Sequence, residues 1–597
     1  MLDKIRKILR FLFAPVAANP LFFAAIVILG LSSLAASVVH TGFFPKTLTL
    51  YAVVQGAVYS YLLSWVVYLF DKAWLKGVLV GIWGICGMVE WVHFGLLDHV
   101  VDLQSLSLML DANSNEVSGF FHQFFDLRTS LCVVGAFLAI VALAVIIGRT
   151  KVRITRHVSV LSLLLIVLLA CGIVRIIRIV PVLAIDDIDE FTIWMSQEGK
   201  HPPVPVIYQL EIADPVSKYM FLGKGIALEK KVYDKWKHLQ PQFYAANDAV
   251  SVSSSADSLQ VVVIIGESFI KSHSSLYGYH LTVNPRLETE RNNGALVVFT
   301  DMISAGNYTN MSIANLLNLN RLNSRDAGHR NWWENVYFPL VFKKAGWQVC
   351  LFTNQYDPQS RSSDLGRIYF DPFIVSACYD AYNKSQTQYD DGFVAEMIKE
   401  NRLSELSAAP RLTIWHLKGQ HFPAVERFPE NPALVRFSAE DIPADKPWLD
   451  DGKRQLVADY ANATLYNDRV VGSIIDLYRD KDAVVVYFSD HGEEMWDTAP
   501  AGNRNKQQPE DPAWMHRQFD IPFVVWMSES FRGKYPDMAD SIRGAADRPG
   551  TLDNLGQMLL QISGIESGYL RPDESIISGS YRPGRRISAQ GYLYPGD

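Results

Sequence analysis

Apolar residues are distributed unevenly along the chain. Before residue 181 they form long runs; after it they form short runs between polar and charged segments. Five of the long runs lie at about Leu21–Val39, Leu50–Phe70, Leu75–Leu97, Leu131–Gly148 and His157–Val174. Each has about the length a helix needs to cross a bilayer core, ~20 mostly apolar residues. The first follows a basic start, as a signal peptide does, but four more spans follow it, so it is read as a retained anchor. Lys4, Arg6, Lys7 and Arg10 precede the first run, Lys72 and Lys76 separate the second and third, and Arg149, Lys151, Arg153 and Arg156 separate the fourth and fifth. Five crossings put these three segments on one side, which the positive-inside rule makes cytoplasmic. The loop 98–130 carries Asp98, Asp102, Asp111, Glu116 and Asp126 against Arg128 alone. Everything after residue 180 is then expected outside the cytoplasm. Arg175 and Arg178, at the outer end of the fifth run, are read as snorkelling cations.

Residues 181–257 mix apolar positions with charges and contain Pro202-Pro203-Val204-Pro205. Short helices lying on the membrane surface are expected there. Asp186, Asp187, Asp189 and Glu190 lack the glycine and spacing of a calcium loop and read as a solvated face. The run Ser251-Val252-Ser253-Ser254-Ser255 is a polar spacer, so a globular domain is expected over 258–597. Inside it, continuous apolar, β-branched runs recur at Leu259–Gly266, Trp347–Thr353, Leu412–Leu417, Ala483–Ser489 and Ile521–Trp526. Such runs suit strands buried on both faces. Helical patterns intervene at Thr309–Asn320, Gly392–Asn401 and Leu456–Tyr478. The alternation predicts an α/β sheet sandwiched by helices. The domain division is therefore 1–180 transmembrane, 181–257 interfacial, 258–597 globular.

Composition narrows the class. A net charge of −7 argues against nucleic acid as the main partner. Five cysteines in 597 residues exclude a disulfide scaffold. Cys350 and Cys378 lack zinc-finger spacing and read as buried thiols, or at most one disulfide.

Ligands of α/β sheets bind beyond the carboxyl ends of the strands. Glu267 follows the first strand, Lys418-Gly419-Gln420-His421 follows the third, Asp490-His491-Gly492-Glu493-Glu494 follows the fourth, and His516 precedes the last. One such carboxylate alone would be a helix cap. Glu267, Asp490 and His491 together form an O/O/N donor set for zinc or manganese, the imidazole favouring zinc. Three protein ligands and an open position describe a catalytic metal. Thr309 opens a helical pattern, where a hydroxyl could meet both the metal and an anion held by the helix N-terminus.

The ordered motifs Gly266-Glu267-Ser268, Leu276-Tyr277-Gly278-Tyr279, Asn284-Pro285, Tyr308-Thr309, Lys418-Gly419-Gln420-His421-Phe422-Pro423, Tyr460, Tyr466-Asn467-Asp468 and Ser489-Asp490-His491-Gly492-Glu493 resemble one family. It is the bacterial phosphoethanolamine transferases that decorate lipopolysaccharide, within the alkaline phosphatase/sulfatase superfamily. The resemblance extends over nearly the whole chain. The Lys-Gly-Gln-His-Phe-Pro segment and sparse cysteines are more similar to the core-modifying branch than to the lipid A branch. It implies an inner-membrane enzyme with a periplasmic catalytic domain, taking phosphoethanolamine from phosphatidylethanolamine and passing it to a glycolipid acceptor. It also implies Thr309 as nucleophile, zinc held by Glu267, Thr309, Asp490 and His491, and His421 and His516 near the phosphoryl group or a second metal. Glu493 and Asn354 would be further substrate contacts, and Asn113 and Glu116 of the outer loop would face the lipid donor. A monomer is expected, with membrane lipid as its surroundings.

Three other readings share parts of this pattern. A phosphoglycerol transferase of the lipoteichoic acid synthase type would also have five helices, a threonine and, typically, manganese. A membrane-tethered sulfatase or phosphatase is the second; a sulfatase needs a Cys or Ser in a C/S-x-P-S/A-x-R context, which is not found near Thr309. A catalytically dead scaffold would have lost a metal ligand, and none is missing. Four glycosylation-type triplets, including Asn307-Tyr308-Thr309, read as chance matches.

Overall fold

The computed structural model of the chain describes residues 2–32, 35–36, 46–70, 72–97, 101, 106, 125 and 127–150, short pieces of 215–227, and most of 258–595. Within that last range, 320–335, 356–371, 384, 401–409, 432–433, 499–510 and 590–591 lie outside the described residues. So do the fifth apolar run, Arg175, Arg178, the 186–190 acids, the serine spacer, Asn113 and Glu116. The chain divides into two compact units, Met1–Lys231 and Val232–Asp597.

In the first unit, α1 (Leu2–Leu12) is followed by α2 (Pro20–Gly30), α3 (Lys46–Phe70), α4 (Ala73–Leu97) and α5 (Leu127–Arg149). Pro20 starts α2 at the position where a missing N–H costs nothing. Among the described residues, α4 and α5 are long and apolar enough to cross a membrane. α5 turns Leu131, Val134, Leu138 and Ile146 outward, a surface that hydrocarbon suits better than water. α4 and α5 pack together through small residues. A Cβ on Gly77 would come within 2.6 Å of the Ala144 carbonyl oxygen, and Gly148 lies against Gly77. At the same end, the Lys76 ammonium donates to the Thr150 carbonyl at 2.7 Å and to its hydroxyl at 2.6 Å. A cation is thus placed where the helix dipole of α5 is negative.

In the second unit, the main sheet has seven strands among the described residues: β1 (Gln260–Gly266), β2 (Leu296–Phe299), β3 (Gln348–Thr353), β4 (Ala381–Tyr382), β5 (Arg411–His416), β6 (Ala483–Ser489) and β7 (Phe523–Met527). Their order is β2-β7-β6-β1-β5-β3-β4. β4, β3, β5, β1 and β6 are mutually parallel, and β7 runs antiparallel to both β6 and β2. All five expected strands form, within two residues of their expected ends. β2 and β4 were not expected, because four and two residues give too short a run to stand out. The sheet is mixed, not purely parallel.

Alternate residues of β1 enter opposite cores. Val261, Val263 and Ile265 join one apolar cluster, and Val262 and Ile264 join the other. This is why its sequence is continuously apolar. The second face is covered by the long helix Asp451–Asp476, whose Val457, Tyr460, Val471 and Ile475 are buried in that cluster. Cys350 and Cys378 lie in different clusters and form no disulfide, and burial pushes the Cys350 thiol up to about 12. Truncating Ile414→Ala at the centre of β5, where the side chain is 0% exposed, is expected to cost about 2–5 kcal/mol. A lower thermal midpoint of the purified protein checks this.

Candidate metal centre

Glu267 and Asp490 are neighbours because their strands are. β1 and β6 pair in parallel register with Gly266 opposite Ser489, so the next residue of each leaves the sheet at one point. The turn after β1 is tightly held. Ser268 adopts φ 55°, a left-handed conformation that a residue with a Cβ resists. Its N–H donates to Asp490 Oδ1 at 3.2 Å and its hydroxyl to Glu267 Oε1 at 2.9 Å. The Tyr460 hydroxyl donates to the Ser268 carbonyl at 2.6 Å and accepts from Ile270 N at 2.9 Å. Tyr460 lies on α9 (Asp451–Asp476); the helices before it include α6 (Pro285–Asn292), α7 (Thr309–Leu316) and α8 (Asp390–Lys399).

The three expected protein ligands converge. One ligand atom from each of Glu267, Asp490 and His491 lies within 4.8 Å of the others, and all three side chains are fully buried. His491 is oriented by its other nitrogen: Nδ1–H donates to the Gly492 carbonyl at 2.6 Å. That turns Nε2 toward Glu267 Oε1, 3.0 Å away, and Asp490 Oδ2, 3.4 Å away. Carbonyl-fixed imidazoles of this kind are what metal sites use. Gly492 permits the turn, since a Cβ there would run into the Arg517 carbonyl. Asp490 Oδ2 is buried and has no hydrogen-bond partner. Burial and the adjacent Glu267 push the Asp490 carboxyl up to about 8. Two packed, water-excluded carboxylates with an unsatisfied oxygen are costly by themselves and fit a divalent cation.

Thr309 is the first residue of α7, with Tyr308 in the cap position. Its hydroxyl lies 3.1 and 3.0 Å from the two Glu267 oxygens and 3.4 Å from His491 Nε2. Ser312, one turn on, donates its hydroxyl to the Asp490 carbonyl at 2.5 Å. α7 is thereby fastened to the same strand end that carries the ligands.

His421 sits on the turn after β5. Gly419 in that turn has φ +50°, and a Cβ there would come within 2.7 Å of Glu267 N. Gln420 N donates to the Glu267 carbonyl at 3.0 Å, so the turn packs directly on the ligand's backbone. His421 Nδ1–H donates to the Phe422 carbonyl at 2.8 Å. The outer side of the turn is gripped by Asp390, which accepts from Lys418 N at 3.1 Å and Gly419 N at 3.0 Å. Burial raises the Asp390 carboxyl above its usual range. Asn354 serves this grip: its amide donates to Asp390 at 2.8 Å and its carbonyl accepts from Thr387 N at 2.8 Å. Glu493, the last residue of the Asp490-His491-Gly492-Glu493 turn, is buried. His516 is on α10 (Pro512–Phe519) and lies outside the ligand cluster. Its side chain is 48% exposed, and its Nδ1 meets the Tyr594 hydroxyl at 2.7 Å and Asp520 Oδ2 at 3.2 Å.

Gln355 escaped the sequence reading. Its amide nitrogen donates to Glu267 Oε2 at 2.8 Å and to the Leu417 carbonyl at 2.8 Å. The position directly after Asn354 at the end of β3 was the available signal.

The sulfatase family model matches residues 260–565, more than half of the chain, and the chain belongs to that family. Within it, the chain is 27% identical over 340 residues to phosphoethanolamine transferase EptC of Escherichia coli O18:K1:H7 (strain RS218 / NMEC), covering 56% of this chain and 55% of that one. It is 28% identical over 283 residues to the Kdo(2)-lipid A phosphoethanolamine 7''-transferase of Salmonella typhimurium, covering 46% of this chain and 45% of that one. The chain thus spans about half the length of the curated relatives it matches. The integral membrane lipooligosaccharide phosphoethanolamine transferase A (EptA) of Neisseria meningitidis shares the fold. Its TM-score is 0.59 at 18% identity, over 96% of this chain and 98% of that one.

Two outcomes follow. A metal must displace the proton held by Asp490, whose carboxyl is pushed up to about 8. The rise in thermal midpoint on adding zinc to metal-free protein should therefore grow as pH increases toward 8 and level off above it. Gln355→Ala, which releases one Glu267 oxygen, should weaken zinc binding by about 10–100-fold, measured by competition with a chelator.

Proposed function

We propose that the protein transfers phosphoethanolamine from phosphatidylethanolamine to an envelope glycolipid, lipopolysaccharide with its core sugars favoured, through a phospho-threonine intermediate. The observation that carries this reading is the Thr309 hydroxyl at the start of α7, 3.0–3.1 Å from both Glu267 oxygens and 3.4 Å from His491 Nε2. A hydroxyl so placed is a nucleophile beside a metal site, with the N–H groups of a helix start available to phosphoryl oxygens. The relatives named above, both phosphoethanolamine transferases by name, support the choice of group transferred.

Glu267, Asp490, His491 and the Thr309 hydroxyl would hold the ion. A nitrogen with hard oxygens suits zinc better than manganese. Bound there, zinc would lower the hydroxyl's pKa and offset negative charge on the phosphoryl group. The Thr309 proton leaves along its hydrogen bond to Glu267. Oγ1 forms a bond to phosphorus as the bond from phosphorus to the diacylglycerol oxygen breaks. That oxygen takes a proton from His421 Nε2, the Nδ1 side being held by the Phe422 carbonyl. In the second half, the acceptor hydroxyl returns a proton to His421 and attacks phosphorus, and Thr309 recovers its own. A covalent relay lets a membrane-bound donor and a bulky acceptor use one site in turn. His421 and His516 are assigned to the phosphoryl surroundings or a second cation, Glu493 and Asn354 to further substrate contacts, and Asn113 and Glu116 to the donor headgroup.

The chain organisation suits this task. Residues 1–180 would cross the inner membrane five times, 181–257 lie on its outer surface, and 258–597 form a periplasmic catalytic domain acting as a monomer. The donor's acyl chains then stay in the bilayer throughout. Thr309→Ala should lower transfer by at least about a thousandfold, measured with phosphatidylethanolamine vesicles. Wild-type protein given donor without acceptor should yield a Thr309 peptide heavier by one phosphoethanolamine group. An active Thr309→Ala variant would refute the assignment.

A further inference from the structure

In the N-terminal unit, one ion pair plays no part in the site above. Glu90 is the sole acidic residue of α4, roughly 25 Å along the helix from Ala73. Its carboxylate is 0% exposed, and it pairs at 2.8 Å with the ammonium of Lys218, 2% exposed and 128 residues later. Tyr219 and the Val101 backbone lie beside the same carboxylate, and His93, on the next turn of α4, is buried too. Burying two charges in a helix of this apolarity yields little net stability. What such a pair supplies is specificity: it accepts one partner segment and penalises the others. The segment it fixes is the one by which the chain leaves this unit, since the catalytic unit begins at Val232.

We propose that Glu90 and Lys218 are a positioning pair for the lipid-dependent half-reaction. They clamp the segment around Lys218 to the outer end of α4, and so fix the point from which the tether to the catalytic unit departs. This rests on the reading of the chain as a lipid-dependent transferase. Neither residue belongs to the unit that carries Thr309. A fixed departure point shortens the tether and raises the effective concentration of Thr309 at the membrane surface; an undocked segment lowers it.

The test uses full-length protein in phosphatidylethanolamine nanodiscs, carrying Glu90→Gln, Lys218→Met, or the swap Glu90→Lys with Lys218→Glu. Each single substitution should lower transfer from the lipid by at least about tenfold, through a higher KM for the donor. Hydrolysis of a water-soluble aryl phosphoethanolamine diester should stay near wild type. The swap should restore most lipid transfer. Amide hydrogen exchange over 215–227 should rise in the single variants and return in the swap. The positioning role is overturned if the single variants transfer normally, if both substrates are lost alike, or if the swap restores nothing. If the wild type ignores phosphatidylethanolamine, the transferase reading fails and the positioning role falls with it, while the exchange pattern still decides whether the pair is a clamp.

Discussion

Two carboxylates are forced together at the centre of the second unit. Glu267 and Asp490 leave adjacent parallel strands at the same level, both fully buried. Parallel pairing makes this unavoidable: once Gly266 lies opposite Ser489, the next residues share one spot. Like charges in a dry pocket repel strongly, and only a proton or a cation relieves them. Much of the surrounding architecture can be understood as holding that arrangement in place. The left-handed Ser268 is held by hydrogen bonds to Asp490, Glu267 and Tyr460. The Gly419 turn leans on the Glu267 backbone, and Asp390 holds that turn from behind. Strain of this kind persists only where neighbours over-determine it.

The reaching groups are arranged around this centre by separate elements. α7 brings Thr309 from one side and is pinned by Ser312 to the Asp490 carbonyl. The turn after β5 brings His421, and β3 brings Gln355. Because each comes from a different strand end, the site depends on the register of the whole parallel portion of the sheet. A one-residue slip of β6 against β1 would separate the carboxylates and turn alternate side chains to the other face.

Much of this was legible in the sequence, for a physical reason. Central strands buried on both faces must be continuously apolar, so β1, β3, β5, β6 and β7 announce themselves, and the residues that follow them carry the chemistry. Glu267, Asp490 and His491 were found this way, and Thr309 at the opening of a helical pattern and through the family resemblance; the four are brought together. β2 and β4 were missed because edge strands are short and half-covered. The reversed direction of β7 was missed because periodicity is blind to direction. Gln355 and Asp390 were missed because their roles arise from contacts 88 and 28–29 residues away in sequence, which no local pattern encodes. His516, nominated from its place before a strand and from the family resemblance, meets Tyr594 and Asp520 through Nδ1.

The central claim is that the Glu267, Asp490 and His491 cluster exists to hold one metal against the Thr309 hydroxyl. Zinc-edge X-ray absorption of the purified, zinc-loaded protein tests it most directly. One tightly bound zinc per chain, in an oxygen and nitrogen environment with a single imidazole and no sulfur, is the expected spectrum, and it should be lost in Asp490→Asn. Sulfur ligation, several imidazoles, or a spectrum unchanged by Asp490→Asn would contradict the account.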